Sequence, residues 1–183
     1  MKTLKQQDKP RYALLICDML NDFVREGAAL EVPKARTIIG TIKKELKTAR
    51  KSRIPVIYCC DAHKNNDKEF TLWPKHAAKG TEGAQIIKQL QPHKQDYVVH
   101  KTSYSCFYKT SLDRILKKLG ITQLIMSGVV TNICILYTTA DAYMRGYEIV
   151  IPENCVAALT QREHQFALEQ MKRVFHANII SVS

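Results

Sequence analysis

Short, largely apolar runs recur along the chain, and each is followed by a segment of different character. "YALLIC" (12–17), "IPVIYCC" (54–60), "YVVHK" (97–101), "TQLIMSG" (122–128), "YEIVIP" (147–152) and "NIISV" (178–182) read as strands. A strand that is apolar at neighbouring positions needs cover on both faces, which favours a parallel sheet. Between the strands lie "PKARTIIGTIKKELKTARKSR" (33–53), "GAQIIKQL" (83–90), "TSLDRILKKLG" (110–120), a stretch from about 131 to 145 ended by Gly146, and "TQREHQFALEQMKRVFHA" (160–177). Each predicts a helix, and the last opens with a capping box of Thr160 and Glu163. Strands alternating with helices predict an α/β chain: a three-layer, doubly wound, six-stranded parallel sheet covered on each side.

The 183 residues make one domain, 1–183, with no repeat or linker. No apolar run approaches the ~20 residues of a bilayer span, so no membrane partner is expected. The polar start, "MKTLKQQDKPR", has no apolar export region, which predicts a cytoplasmic protein. The six cysteines then read as free thiols, with no CxxC pair among them. The net charge of +11 is densest in "IKKELKTARKSR" (42–53), where Ile42 and Leu46 mark the opposite side of a predicted helix. That is a solvated helix face, so no nucleic-acid partner is expected. The charge still favours anionic ligands by long-range steering. No glycine-rich phosphate loop is present. The oligomeric state is left open, a homo-oligomer included.

In open parallel sheets the ligand site lies beyond the carboxyl ends of the strands. The polar residues there are Asp18, Asp61 with His63, Lys101, and the turn from Ser127 to Cys134. Cys134 falls in or near the first turn of a predicted helix, where the dipole and free N–H groups favour a thiolate. The same N–H groups can hold an oxyanion. Position alone is also compatible with an inert buried thiol, as expected for Cys17, Cys59, Cys60, Cys106 and Cys155. No histidine stands where it could take the proton of Cys134, and His164 and His176 suit surface or packing roles. Asp18 can accept that proton, and Lys101 can pair with Asp18.

Residues 61–80 have neither period and form a long loop. Asp61 and His63 are two apart and face one side of an extended backbone. Glu69 and His76 follow. Carboxylate and imidazole ligands suit Zn, Mn or Fe, and spacing alone leaves metal binding open.

Together, "LLICDMLNDF", "HKTSYSCF" and "SGVVTNICILYTTADAYMRGYEIVIPENCVAA" resemble the isochorismatase-like cysteine hydrolases, over nearly the whole chain. The resemblance implies an Asp18–Lys101–Cys134 triad and a cis Val129–Val130 peptide. It also implies an oxyanion hole formed by the N–H groups of Val130 and Cys134. "DAHKNNDKEFTLWPKHAAKGTEGA" resembles the metal loop of nicotinamidases. It implies a divalent ion, zinc first and manganese or iron as alternatives, on Asp61, His63, Glu69 and His76. In that family the ion holds the pyridine nitrogen. Phe23, Trp73, Tyr104 and Val129 would surround the substrate ring. The implied reaction is hydrolysis of nicotinamide to nicotinate and ammonia through a cysteine thioester, a step of NAD salvage. The alternatives are another small amide or imide, a vinyl ether of the isochorismate type, or a non-catalytic binding role. Two residues depart from the pattern. Ala62 replaces a larger side chain, and Cys106 replaces alanine and adds a thiol near the site.

Overall fold

The computed structural model describes residues 11–182, so the polar N-terminal stretch lies, up to residue 10, outside the described residues. Its strands are β1 (Tyr12–Cys17), β2 (Val56–Asp61), β3 (Tyr97–Lys101), β4 (Gln123–Val129), β5 (Glu148–Pro152), β6 (Val156–Ala157) and β7 (Asn178–Ile180). They form one sheet in the order β3-β2-β1-β4-β5-β7, with β6 paired to β4, and every pairing is parallel. Six strands are those expected. The seventh, β6, has two residues beside Gly128 and Val129, too few for any periodicity to show.

Helices α1 (Asn21–Val24), α2 (Ile39–Lys51), α3 (Leu112–Lys118), α4 (Leu136–Met144) and α5 (Gln161–Val174) cover the sheet. Alternate residues of β1 enter opposite layers. Ala13, Leu15 and Cys17 pack with Leu112 and Leu116 of α3, Ala142 of α4, and Ala167 and Met171 of α5. Leu14 and Ile16 pack with Phe23 of α1 and with Ile42, Leu46 and Ala49 of α2. Fully burying such a side chain is worth roughly 1.5–3 kcal/mol, which is what holds the three layers together. On α2 the buried residues recur at intervals of four and three, while Lys43, Lys44, Lys47 and Lys51 are exposed, the solvated basic face expected.

Three predicted helices differ in detail. The stretch 33–53 begins as one 3-10 turn, Pro33–Arg36, before α2 starts at Ile39. The stretch 131–145 begins as a π-turn, Thr131–Ile135, in which the Val130 carbonyl accepts from the N–H groups of Ile133 (3.0 Å) and Ile135 (3.2 Å). "GAQIIKQL" is not an α-helix; only Lys88–Leu90 make a 3-10 turn. Its backbone bonds go to another segment instead. Gly83 and Gln85 carbonyls accept from Asp22 and Asn21, Ile87 donates to Met19, and Ile86 bridges Leu20. The Asp22 carboxylate fills the space beside Gly83 where a Cβ would stand.

The chain runs outward from β1 through β2 to β3, then returns to the other side of β1 with β4. The order therefore reverses between β1 and β4, and the crevice at such a reversal is where open α/β sheets bind ligands. Gly128 allows the two strands to lie this close. It has φ of +107°, and a Cβ there would overlap the Cys17 carbonyl.

Candidate active site and metal centre

Asp18 follows β1 directly, in the left-handed region at φ +52°, which aspartate tolerates better than most residues. One carboxylate oxygen accepts from the Asp61 N–H at 2.9 Å, and the other lies 2.8 Å from the Lys101 Nζ. Lys101 ends β3 and is almost wholly buried. Its Nζ also lies 2.6 Å from Asp61 Oδ1 and 3.5 Å from Cys134 Sγ. An ammonium without partners would be very costly here, and the two carboxylates offset its desolvation.

These contacts set the protonation states. Burial works to lower the pKa of Lys101, but Asp18 and Asp61 outweigh it and hold it well above the ordinary value. Burial, and next the Asp61 charge, push Asp18 up to about 7 against the pull of Lys101. Burial raises the Cys134 thiol well above its ordinary value, also against Lys101. The resting site thus holds a protonated thiol beside a carboxyl group poised near neutrality, the range in which a general acid–base is most effective.

Asp61 faces two ways. With Oδ1 engaged by Lys101, Oδ2 lies 3.7 Å from His63 Nε2. Ligand atoms of Asp61, His63 and His76 lie within 4.8 Å of one another, and all three residues are buried. Each histidine has its other nitrogen occupied. His63 Nδ1 lies 3.2 Å from Asp67 Oδ2, and His76 Nδ1 lies 2.7 Å from the Pro74 carbonyl. Acceptors at Nδ1 favour the proton there, which is the arrangement that offers Nε2 to a metal. Without a metal, burial works to lower the pKa of His63, but Asp61 and Asp67 outweigh it and hold it up at about 9. His63 Nε2 is buried without a hydrogen-bond partner. This donor set fits a divalent cation. Glu69 stands beside it, Oε1 being 3.9 Å from His76 Nε2, outside the converging trio.

Asp67 has no part in the sequence reading. Its Oδ1 accepts from the Glu69 N–H at 3.0 Å while Oδ2 meets His63, so one carboxylate positions two candidate ligands. The signal is present in the sequence as an aspartate four residues after His63 that caps the short turn Lys68–Thr71.

Cys134 and Val130 line a cavity of about 220 Å³. Phe23, Trp73, Tyr104, Ile133 and Leu159 supply apolar wall, and Asp61, Glu69 and His76 supply a polar side. Trp73 Nε1 donates to the Tyr104 hydroxyl at 3.1 Å, and the Phe23 ring stands edge-on to His76 at 5.6 Å. Of the four residues expected around the ring, Phe23, Trp73 and Tyr104 line this cavity. Val129 does not. Strand alternation turns its fully buried side chain into the core beneath α2, and Val130 faces the cavity instead. Ile133 and Leu159 were not singled out, because an apolar residue in a turn or on a helix carries no local mark of lining a pocket. The Val129–Val130 peptide is cis. Cys106 is fully buried with its Sγ 3.5 Å from that of Cys17, in the layer under α3–α5.

An isochorismatase domain matches residues 12–182. The chain belongs to the isochorismatase family. Its fold closely matches the N-carbamoylsarcosine amidase of Thermoplasma acidophilum, with a TM-score of 0.86 and 35% identity over 93% of this chain and 96% of that one. The nicotinamidase of Bacillus subtilis matches with a TM-score of 0.88 and 33% identity over 94% and 100%. A pyrazinamidase of Pyrococcus horikoshii, solved in complex with zinc, matches with a TM-score of 0.88 and 27% identity over the same shares. No helix among the described residues is long and apolar enough to cross a membrane.

Proposed function

We propose that this family member is an amide hydrolase whose substrate is nicotinamide. The observation that carries the reading is the convergence of the ligand atoms of Asp61, His63 and His76, two of which, Asp61 and His76, line the cavity that Cys134 also lines. Asp61, His63 and His76, with Glu69 beside them, would hold a divalent cation, zinc being the first candidate. When bound, such an ion supplies a Lewis-acid anchor for a pyridine nitrogen.

The chain's own residues account for the chemistry. Asp18 takes the Cys134 proton, and the thiolate attacks the amide carbon. The N–H groups of Val130 and Cys134 hold the oxyanion. Asp18 returns the proton to the leaving nitrogen, and ammonia departs. The Asp18 carboxylate then activates water, which hydrolyses the thioester to carboxylate and free thiol. Lys101 keeps its charge throughout and compensates whichever of Asp18 and Cys134 is ionised.

The walls favour a neutral substrate. Among the described residues no lysine or arginine lines the cavity, and the Glu31 carboxylate at its rim is paired with Arg36 at 2.8 Å. A carboxylate-bearing amide would find no lysine or arginine on these walls to receive it, only the ion that Asp61, His63 and His76 would hold. The likeness to an N-carbamoylsarcosine amidase supports a second reading, hydrolysis of a small N-carbamoyl compound. Ammonia release from nicotinamide, pyrazinamide, benzamide and N-carbamoylsarcosine separates the two. Turnover of nicotinamide and pyrazinamide is expected. Turnover of N-carbamoylsarcosine alone would replace the first reading with the second.

A further inference from the structure

The turn that carries Cys134 has a side-chain tie to the helix layer. Thr131, its first residue, is fully buried, and its Oγ1 lies 3.0 Å from His164 Nδ1. No other side-chain hydrogen bond of Thr131 occurs among the described residues. Within the turn, the Val130 carbonyl accepts from the N–H groups of Ile133 and Ile135.

His164 is well placed to be the fixed end. It is the fourth residue of α5, and its N–H donates to the Thr160 carbonyl at 3.1 Å. The capping box fastens that first turn: the Glu163 N–H donates to Thr160 Oγ1 at 3.2 Å, and the Thr160 N–H donates to Glu163 Oε2 at 3.0 Å. His164 is half-buried, and burial with the nearby Lys34 ammonium holds its pKa below the ordinary value, against the weaker pull of Glu153. The imidazole is therefore neutral at pH 7 and presents one donor and one acceptor nitrogen. It lies outside the Cys134 cavity, beside the polar groove of Lys34, Gln161 and Asn154.

We propose that His164 is a positioning residue for the reaction: it pins Thr131, and through it the flanking backbone of Val130 and Cys134, where thiol and oxyanion hole must stand. The inference rests on the role given to Cys134 above. It goes beyond the surface or packing role expected of His164. His164 touches no reacting atom, and its effect is on geometry, to which attack at a carbonyl is steeply sensitive.

The test uses His164→Ala, His164→Asn, Thr131→Val and the double variant His164→Ala/Thr131→Val. Two quantities are read: kcat and KM on nicotinamide, and the rate at which iodoacetamide alkylates Cys134. His164→Ala should lower kcat about 10-fold, with KM changed by less than about twofold. Alkylation of Cys134 should slow in parallel, with the far-UV spectrum unchanged. The asparagine amide falls where Nδ1 stood, so His164→Asn should recover most of the rate. Thr131→Val should match His164→Ala, and the double variant should be no worse than either, as for two ends of one contact. Wild-type kcat and alkylation in His164→Ala, additive losses in the double variant, or no recovery with asparagine would each overturn the proposal. Should the wild-type protein hydrolyse no amide of the panel, the proposed substrate falls, while the alkylation rates still decide the role of His164.

Discussion

Asp61 and Lys101 form a buried ion pair 2.6 Å long that joins Asp18 and Cys134 on one side to His63 and His76 on the other. Lys101 also compensates Asp18, so among the described residues it is the one ammonium shared by these two buried carboxylates.

Removing that cation should be felt in both stability and activity. Lys101→Ala leaves Asp18 and Asp61 facing each other without the ammonium between them, and breaking a buried pair costs about 3–5 kcal/mol. Urea denaturation should show a loss of that order, and turnover should vanish. Lys101→Met, which keeps most of the packing volume, should recover part of the stability and none of the activity. A methionine variant with wild-type turnover would rule out an electrostatic role for Lys101.

Cys134→Ala should abolish turnover with little change in Tm, because Cys134 lines a cavity and its truncation opens no new void in the core. Iodoacetamide should label Cys134 before the other five thiols: all six are buried, but Cys134 is the one that lines the cavity. Mass spectrometry that finds Cys59 or Cys155 labelled first, with activity already lost, would contradict the assignment.

Asp67→Asn keeps the shape of the side chain but weakens the acceptor that orients His63. Outer partners of this kind typically contribute 10–100-fold to metal affinity, and a loss of about that size is expected by chelator competition. Saturating metal should restore turnover, since Asp67 contacts the ligands and not the thiol. Unchanged affinity would mean that His63 is held by packing alone.

Benzamide has the shape and scissile bond of nicotinamide but no ring nitrogen. If the ring is anchored through that nitrogen, kcat/KM for benzamide should be lower by ~10²-fold or more, as when a built polar site goes unmatched. His76→Ala should narrow the gap. Equal values for the two amides on the wild-type protein would point to a general small-amide hydrolase.

The meeting of Asp18, Lys101 and Cys134 is legible in the sequence because each stands at or just past the end of an apolar run: Asp18 after "YALLIC", Lys101 after "YVVH", Cys134 past "TQLIMSG". Strand ends in a parallel sheet share one edge, so proximity follows from topology. Segment 83–90 shows where this kind of inference fails. Its residues have helical spacing, but their hydrogen bonds belong to Met19, Asn21 and Asp22, partners more than sixty residues away that no local pattern reveals. His164 fails similarly, since its bond to Thr131 spans 33 positions between two elements that read separately. Asp67 fails for a smaller reason: a capping aspartate looks the same whether or not its second oxygen holds a histidine.

The close passage of Gly128 against Cys17 bears on how the protein tolerates change. A side chain at 128 would wedge β4 away from β1 at the very level where Asp18 and Cys134 leave their strands. Much of the sheet would survive that displacement, since the β1–β2, β2–β3 and β5–β7 pairings do not pass through it. Libraries screened for folding alone would therefore retain clones at this codon that have lost the chemistry. Libraries built to alter substrate range should keep it constant and place their diversity at Ile133, Leu159 and Trp73, on the cavity wall.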